Sequence, residues 1–213
     1  MTILLMIRHG QSITNINKAF TGQYDADLTE LGYKQAEKAA EFIIENFIVD
    51  EIYSSDLKRA YNTAKEVAKR INKDIIDSKN LREIYAGPWQ NMKYSDIKEL
   101  YPEYYEVWMN DIGKSKCPEG ESVGELADRV MKELRMIAES NMNKTILIAT
   151  HATPIRILQT ISEKGKLDEM SNVKWVPNAS LTALRYEKGK FEIMFVGEDK
   201  YLEKIRTEIP IGI

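Results

Sequence analysis

The chain has 213 residues, of which 43% are hydrophobic and 30% are charged, and its 33 acidic and 30 basic residues give a formal net charge of −3. A chain of this length can bury a sizeable core, and its ordinary composition indicates one globular domain or at most two. The sequence has no block of five or more basic residues, which argues against a surface for nucleic acid or for an anionic membrane.

The first predicted element is a strand over residues 2–8, in which four apolar residues lead directly into Arg8 and His9. His9 is one of only two histidines in the chain. A helix is predicted to begin after Thr29, whose hydroxyl suits an N-cap. The apolar stripe of that helix is Leu31, Ala36, Ala39, Ala40, Ile43 and Phe47.

Two strands and two helices are predicted in the middle of the chain. Residues 50–55 and 73–77 are short apolar runs typical of strands, and a helix fills most of the interval between them. A later helix begins at Ser122, because Glu125 three residues on completes a capping box. The apolar stripes of these two helices are Leu57, Ala60, Ala64, Val67, Ala68 and Ile71, and Val123, Leu126, Val130, Leu134 and Ile137.

The last third of the chain begins with a second strand predicted to be fully buried, residues 144–151, which ends on the other histidine, His151. Thr153 and Pro154 follow as the predicted N-cap and first residue of a helix. A hairpin is predicted around Lys188–Gly189. Continuous apolar strands that alternate with helices indicate an α/β fold whose sheet is covered by helices on both faces.

Residues 85–121 differ from the rest of the chain because they are irregular and rich in Tyr, Trp, Met and Pro. One interpretation is a pair of short helices that pack aromatic side chains on the core. Another, compatible with the first, is a lid over a pocket that selects the substrate. Since no repeat, low-complexity tract or linker interrupts the sequence, we predict a single domain, residues 1–213, that includes this segment.

Polar side chains follow each predicted parallel strand, at the edge where sheets of this kind bind ligands. Taken singly, each has an ordinary explanation as a core histidine, a turn amide or a surface charge. The appearance of both histidines at equivalent strand ends is what singles the group out. The candidate site residues found in this way are Arg8, His9, Asn15, Arg59, Glu83 and His151.

The chemistry that suits this group of side chains is phosphoryl transfer. Guanidinium groups bind phosphate oxygens in a bidentate manner, and a helix N-terminus adds oriented N–H donors. An imidazole with one free nitrogen is a nucleophile near neutral pH and can form a phosphohistidine. A nearby carboxylic acid can protonate the leaving alkoxide. The sequence contains no common metal-ligand motif and no P-loop.

The stretch "RHGQSITN" resembles the R-H-G-[EQ]-[ST]-x-x-N signature of the histidine phosphatase superfamily, in its phosphoglycerate mutase-like branch. The resemblance runs from residue 3 to about residue 187 in the order that the family shows. It continues through "FTGQYDADLTELGYKQA", "SSDLKRAYNTA", "LREIYAGPWQN", "PEGES", "ATHATPIRIL" and "NASLTALRY".

The resemblance implies a role for each candidate residue. His9 is expected to be the nucleophile, and Glu83 the acid that protonates the leaving group and then the base that activates water. The residues expected to bind the phosphate or the substrate are Arg8, Asn15, Thr21, Gly22, Gln23, Arg59, His151 and, through its backbone N–H, Ala152. The resemblance also implies a three-layer α/β/α sandwich with a mostly parallel central sheet, the first strand at its centre, and no metal requirement.

The sequence departs from the family pattern in two places. Family members often have H-G-G or H-G-N at the second histidine, whereas this chain has Ala152 and Thr153 after His151. The family's G-x-W-E-G is replaced here by Gly87-Pro88-Trp89-Gln90-Asn91. We expect both departures to affect the shape of the site and its specificity more than its chemistry.

Within the family, the sequence favours a phosphatase of small phosphorylated metabolites over a phosphoglycerate mutase that depends on 2,3-bisphosphoglycerate. The segment between Glu83 and His151 is short, and Glu83 is followed by Ile84-Tyr85-Ala86-Gly87 without the basic motif of the mutases. Two other hypotheses remain: a catalytically silent binding module, and a metalloprotein with His9, His151 and Glu83 as ligands. Retention of nucleophile and acid disfavours the first, and the two arginines, which repel a cation, disfavour the second.

The sequence also gives expectations for partners and location. We expect a small phosphorylated substrate, no cofactor, no nucleic acid and no membrane, and either a monomer or a homodimer fits the sequence. The single cysteine, Cys117, cannot form an internal disulfide, and no stretch approaches the roughly 20 apolar residues that span a bilayer. We therefore expect a cytoplasmic protein.

Overall fold

The computed structural model describes residues 1–207, and its centre is a six-stranded sheet in the order β4-β3-β6-β1-β7-β8. Two further strands, β2 and β5, form a separate antiparallel pair. The strands are β1 (Thr2–Arg8), β2 (Ala19–Phe20), β3 (Glu51–Ser54), β4 (Ile75–Asp77), β5 (Met92–Lys93), β6 (Thr145–Thr150), β7 (Leu181–Glu187) and β8 (Lys190–Glu198). The α-helices are α1 (Ile13–Ile16), α2 (Glu30–Asn46), α3 (Lys58–Ile71), α4 (Tyr94–Leu100), α5 (Pro102–Asn110), α6 (Val123–Ser140) and α7 (Ala152–Lys164).

The pairing of the strands places the two histidines at the same edge of the sheet. Strands β4, β3, β6 and β1 are parallel, and β7 and β8 add antiparallel strands on the other side of β1. Arg8 at the end of β1 lies opposite Thr150 at the end of β6. His9 and His151 therefore leave the sheet side by side, one residue beyond each strand.

The sheet is covered by helices on both faces, which confirms the expected three-layer sandwich. Leu4 and Met6 of β1 belong to the apolar cluster formed with α6 and α7. Leu5 and Ile7 point the other way, into the cluster formed with α2 and α3. Because successive strand residues face opposite sides, a central strand buried on both faces must be apolar throughout, as β1 is.

Local sequence signals predicted several element boundaries correctly. Thr29 caps α2 by accepting a hydrogen bond from the Gly32 N–H at 2.9 Å. Ser122 and Glu125 form the predicted capping box at the start of α6. The β7–β8 hairpin turns at Lys188–Gly189, where both residues have positive φ.

The predicted start of α7 was wrong by two residues. The helix begins at Ala152, and His151, in an extended conformation with φ −125° and ψ 176°, is its N-cap residue. Pro154 is thus the third residue of the helix. Proline is tolerated there because the first helical N–H groups have no partner within the helix. The predicted strand over residues 73–77 is also shorter, since β4 begins at Ile75.

The aromatic segment 85–121 packs two short helices, α4 and α5, against the core, as the first interpretation of the sequence expected. Trp89 and Trp108 are buried, and Phe20 contacts both rings edge-on, with centroid distances of 5.4 Å and 4.9 Å. Movement of this segment as a lid stays a prediction. Within residues 1–207, no helix is both long and apolar enough to span a membrane.

A close contact between two backbones connects α2 to the loop that follows β1. A Cβ atom on Gly32 would lie 2.0 Å from the carbonyl oxygen of Gln11, and one on Gly10 would lie 2.4 Å from the carbonyl oxygen of Gly32. Neither distance leaves room for a side chain, so both positions require glycine. This contact holds the residues after His9 against the start of α2.

We predict that Gly32→Ala lowers the free energy of unfolding by about 1–3 kcal/mol, because the added methyl group displaces the Gln11 backbone. The matched control is Gly124→Ala in α6, where the nearest atom outside the helix backbone would be Ser122 Oγ at 3.7 Å. The control should be neutral or stabilising by up to about 1 kcal/mol, since alanine favours helices over glycine. Urea denaturation of both variants measures the difference, and equal stabilities would contradict the steric argument.

Candidate active site

A cavity opens beyond the carboxyl ends of β1 and β6, where the predicted site residues were expected to meet. Eight of the ten predicted residues line it: Arg8, His9, Asn15, Thr21, Gly22, Arg59, Glu83 and Ala152. The two predicted residues that are not part of its lining are Gln23 and His151.

His9 is held as a neutral ring with one nitrogen free. Its Nδ1 is 2.7 Å from the carbonyl oxygen of Gly10. Because a carbonyl only accepts hydrogen bonds, Nδ1 carries the proton and Nε2 keeps its lone pair. Burial lowers the pKa of His9 well below 6.5, and the charges of Arg59 and Arg8 lower that pKa further. The ring is therefore an unprotonated nucleophile near neutral pH.

The backbone around His9 is fixed by hydrogen bonds on both sides. Its N–H donates to the carbonyl of Thr150 at 3.0 Å, which continues the pairing of β1 with β6. Its carbonyl accepts from the backbone N–H of Ala179 and from the Asn178 side chain, both at 3.1 Å. These contacts set the direction in which the imidazole leaves the sheet.

His151 lies beside His9, with the ring centroids 5.3 Å apart in a T-shaped arrangement. Its Nε2 is hydrogen-bonded to the hydroxyl of Ser55 at 2.9 Å. Its Nδ1 is buried and has no hydrogen-bond partner among the described residues. Burial lowers the pKa of His151 well below 6.5, and Arg59 and His9 contribute further lowering. This ring is thus also neutral, with one nitrogen unsatisfied.

Two buried guanidinium groups give the cavity its positive charge. Arg8 donates from Nη1 to the carbonyl of Val176 at 2.5 Å, and Arg59 donates to the carbonyls of Tyr24 and Gly22 at 2.9 Å and 2.8 Å. Neither forms an ion pair with a carboxylate in the part of the chain that the structure describes, and the Nε of each has no partner there.

Burial lowers the pKa of both Arg8 and Arg59 to about 10, against an opposing effect of the nearby Glu83 carboxylate. Both groups remain charged near neutral pH. Buried charge that is only partly compensated is costly, and an anion that binds beside the two guanidinium groups recovers part of that cost. The arrangement therefore suits a phosphate group.

Glu83 also lines the cavity. Its Oε1 accepts a hydrogen bond from the backbone N–H of Ile84 at 2.8 Å. Its Oε2 accepts a hydrogen bond from the backbone N–H of Thr153, in the first turn of α7, at 3.2 Å. Its side chain is only slightly exposed, at 8% of the residue surface. A carboxyl group held in this way next to a nucleophile can move a proton to or from a bound ligand.

The remaining predicted residues divide between the cavity and its support. Asn15 accepts through Oδ1 from the Ser12 N–H at 2.9 Å, so its amide oxygen is used within the protein. The Thr21 hydroxyl is bonded to that of Thr14 at 2.6 Å. Gln23 donates from Nε2 to the backbone carbonyl of Glu83 at 3.1 Å, so it supports the loop that carries the Glu83 carboxylate.

Sequence reasoning missed several residues of the cavity wall. The aromatic composition of 85–121 pointed towards Tyr94 and Trp108 without identifying them. Nothing in the local pattern marks the others as site residues, because only the tertiary fold brings α1, β2, the first turn of α7 and the loop at Trp175 to the same cavity. The missed residues are Thr14, Lys18, Ala19, Phe20, Tyr94, Trp108, Thr153 and Trp175.

The site residues do not form a typical metal centre. In the range 1–207, no three side chains of His, Cys, Asp or Glu are grouped so that they could hold a metal ion. His9, His151 and Glu83, considered above as metal ligands, lie instead beside two guanidinium groups whose positive charge opposes a cation.

Comparison with known proteins gives one consistent result. The family model described as "Histidine phosphatase superfamily (branch 1)" matches residues 4–199. Phosphoserine phosphatase 1 of Hydrogenobacter thermophilus is 34% identical over 158 residues, which cover 74% of each chain. The metal-independent phosphoserine phosphatase of Arabidopsis thaliana is 32% identical over 189 residues, which cover 83% of this chain and 79% of that protein.

The solved structures give the same picture. The mycobacterial glucosyl-3-phosphoglycerate phosphatase in complex with VO3 superposes with a TM-score of 0.84 at 28% identity. The match covers 92% of this chain and 98% of the mycobacterial chain.

The buried histidines lead to a prediction about protonation. Because the pKa values of His9 and His151 lie well below 6.5, neither ring signal should shift between pH 8 and 6 in an NMR titration of the folded protein. In urea the same two rings should titrate near 6.5, their ordinary value, which provides the control.

The same shifts fix the pH dependence of stability. Below about pH 6.5 the unfolded chain takes up protons that the folded chain does not, so the free energy of unfolding decreases as the pH falls towards the folded pKa values. For each histidine the decrease approaches roughly 1.4 kcal/mol per pH unit. A ring that titrates near 6.5 in the folded protein would contradict both expectations.

Proposed function

The chain belongs to the histidine phosphatase superfamily, and from this premise we propose that it hydrolyses phosphate monoesters of small metabolites through a phosphohistidine at His9. The observation that carries the proposal is a neutral His9 whose free Nε2 shares a cavity with two buried arginines that have no carboxylate partner among the described residues. A nucleophile and an anion site are thus in the same place.

Binding of the substrate phosphate uses the positive half of the cavity. The unpaired Nε atoms of Arg8 and Arg59 and the backbone N–H of Ala152 at the start of α7 are the donors available to the phosphate oxygens. The unsatisfied Nδ1 of His151 adds either a donor or an acceptor, according to its tautomer. Donors fixed before the reaction stabilise the charge of the transferring phosphoryl group without reorganisation.

In the first chemical step, the lone pair of His9 Nε2 forms a bond to phosphorus while the bond from phosphorus to the ester oxygen breaks. The leaving oxygen takes a proton from the carboxyl group of Glu83 and departs as an alcohol. The Gly10 carbonyl keeps Nδ1 protonated and stabilises the positive charge that develops on the ring.

In the second step, the Glu83 carboxylate accepts a proton from water as the water oxygen attacks phosphorus. The bond between phosphorus and Nε2 breaks and releases inorganic phosphate. His9 returns to its neutral state and Glu83 to its protonated state, so the cycle balances without a further reactant.

The mutase alternative lacks support. The similar proteins reported above are named phosphatases, and Glu83 is followed by Ile84 and Tyr85 without a basic residue. A silent binding module is disfavoured because the nucleophile and the acid are both present in the cavity.

The cavity wall favours a small, acidic substrate. Lys18 lines the cavity and forms no ion pair with an acidic side chain among residues 1–207, so it is available to a carboxylate of the substrate. Phe20, Tyr94 and Trp108 limit the space beside it. The phosphoserine phosphatases of Hydrogenobacter and Arabidopsis make phosphoserine a first compound to test here. A cytoplasmic location remains a prediction from the sequence.

We predict that brief incubation with a 32P-labelled monoester gives a phospho-protein that is labile in acid and stable in base, the behaviour of phosphohistidine. His9→Ala should abolish the label, because it removes the imidazole to which the proposal assigns the nucleophilic attack. EDTA should leave turnover unchanged, and mutase activity primed by 2,3-bisphosphoglycerate is assayed in parallel. Label that persists in His9→Ala, or turnover lost in EDTA, would contradict the proposal.

We predict that Glu83→Gln slows turnover according to the leaving group. Alkyl phosphates should lose about 10²–10⁴-fold in kcat, because an alkoxide needs a proton to depart. Nitrophenyl phosphate should lose far less, since nitrophenolate is a stable anion. Steady-state kinetics on both substrate classes measures the difference, and equal losses would show that Glu83 does not act as the acid.

A further inference from the structure

The motif "PEGES", residues 118–122, has no role in the mechanism above, yet it lies directly against the loop that carries Glu83. Residues 82–86 form neither helix nor strand, so the position of the Glu83 backbone depends on contacts with other parts of the chain. A Cβ atom on Gly120 would lie 2.3 Å from the carbonyl oxygen of Tyr85, which shows how closely the two segments approach.

Arg129 of α6 binds three carbonyl groups around Glu83. Its Nη1 donates to the carbonyls of Asn80 and Arg82 at 3.0 Å and 2.9 Å, and its Nη2 donates to the carbonyl of Glu83 itself at 2.8 Å. A single planar guanidinium group therefore fixes the backbone on the N-terminal side of the carboxylate. Such a fork holds geometry better than the single ammonium group of a lysine.

Glu121, within the motif, contacts the same loop on the C-terminal side of Glu83, at Tyr85, and forms a clamp together with Arg129. Its carboxylate pairs with Arg129 in a bidentate manner, at 2.6 Å to Nε and 2.8 Å to Nη2. The same carboxylate accepts from the N–H of Tyr85 at 2.7 Å, and the Glu121 N–H donates to the Tyr85 carbonyl at 2.8 Å. Arg129 and Glu121 together hold the chain immediately before and immediately after the acid.

We propose that Arg129 and Glu121 are positioning residues that fix the carboxyl group of Glu83 for proton transfer to the leaving group. The Glu83 carboxylate is itself bonded to the N–H of Ile84, so any displacement of the backbone at 83–85 moves its oxygens. Neither residue of the clamp lines the cavity. The inference rests on the proposed role of Glu83 as general acid.

The test measures how strongly removal of the clamp lowers kcat for substrates with different leaving groups. Arg129→Met should reduce kcat for phosphoserine by roughly 10–100-fold, because a small misplacement of a catalytic group is costly. The loss for nitrophenyl phosphate should stay within about threefold, since that step needs little proton transfer. Arg129→Lys, which keeps the charge but not the fork, should lie between the wild type and Arg129→Met.

The matched control is Arg135→Met, which removes an exposed arginine from the same helix. It should leave both activities unchanged. Retained activity on nitrophenyl phosphate reports that each variant is folded. A double variant of Arg129→Met with Glu83→Gln should be no more than about threefold slower on phosphoserine than Glu83→Gln alone, because both changes remove the same function.

The outcomes distinguish a wrong assignment of Glu83 as the general acid from a wrong assignment of Arg129 and Glu121 as its positioning residues. If Glu83→Gln loses equally on both substrates, the acid assignment in the proposed function is wrong, and the inference about the clamp is wrong with it. If Glu83→Gln discriminates between leaving groups but Arg129→Met loses equally on both, or adds its full effect in the double variant, the clamp alone is refuted and Arg129 is only structural.

Discussion

Parallel pairing of β1 with β6 places Arg8 opposite Thr150, and it therefore carries His9 and His151 out of the sheet as neighbours. The pairing depends on strands that are apolar on both faces, since each is covered by helices on both sides. The polar residues begin only where the strands end. The position of the nucleophile is thus a consequence of how the core of the molecule is built.

The proposed chemistry depends also on the positive charge of two buried guanidinium groups. Arg8 and Arg59 are buried and form no ion pair with a carboxylate among the described residues, and the carboxylate of Glu83 instead accepts backbone N–H groups. Burial, reinforced by the charges of the same two arginines, lowers the pKa of His9 and keeps its ring neutral, which a nucleophile requires. One arrangement of charges therefore prepares the site for a phosphate and activates the group that attacks it.

The sequence was informative wherever the signal is local. The apolar runs ending at His9 and His151, the cap at Thr29 and the capping box at Ser122 depend on neighbouring residues and were read correctly. The start of α7 was misplaced because Thr153 looks like an N-cap, whereas its N–H binds Glu83 in the folded chain.

Residues placed by long-range contacts could not be found in this way. The wall near Trp175 is fixed by hydrogen bonds from Arg8 and Arg156 to the carbonyls of Val176 and Val173, more than fifteen residues away in each case. The clamp on Glu83 likewise joins distant segments, since Arg129 lies 47 and 46 residues from Arg82 and Glu83, whose carbonyls it binds. No periodicity or spacing rule contains such information.

In the proposed mechanism, Nε2 of His9 attacks phosphorus beside the guanidinium groups of Arg8 and Arg59. A crystal structure of the protein with bound vanadate is the most direct test of this attack. We expect a bond from vanadium to Nε2, with Nδ1 still donating to the Gly10 carbonyl. Vanadate oxygens should lie within hydrogen-bond distance of Arg8 and Arg59, and the oxygen in the leaving-group position should face Glu83. Vanadate coordinated through Nδ1, or bound away from the His9 ring, would contradict it.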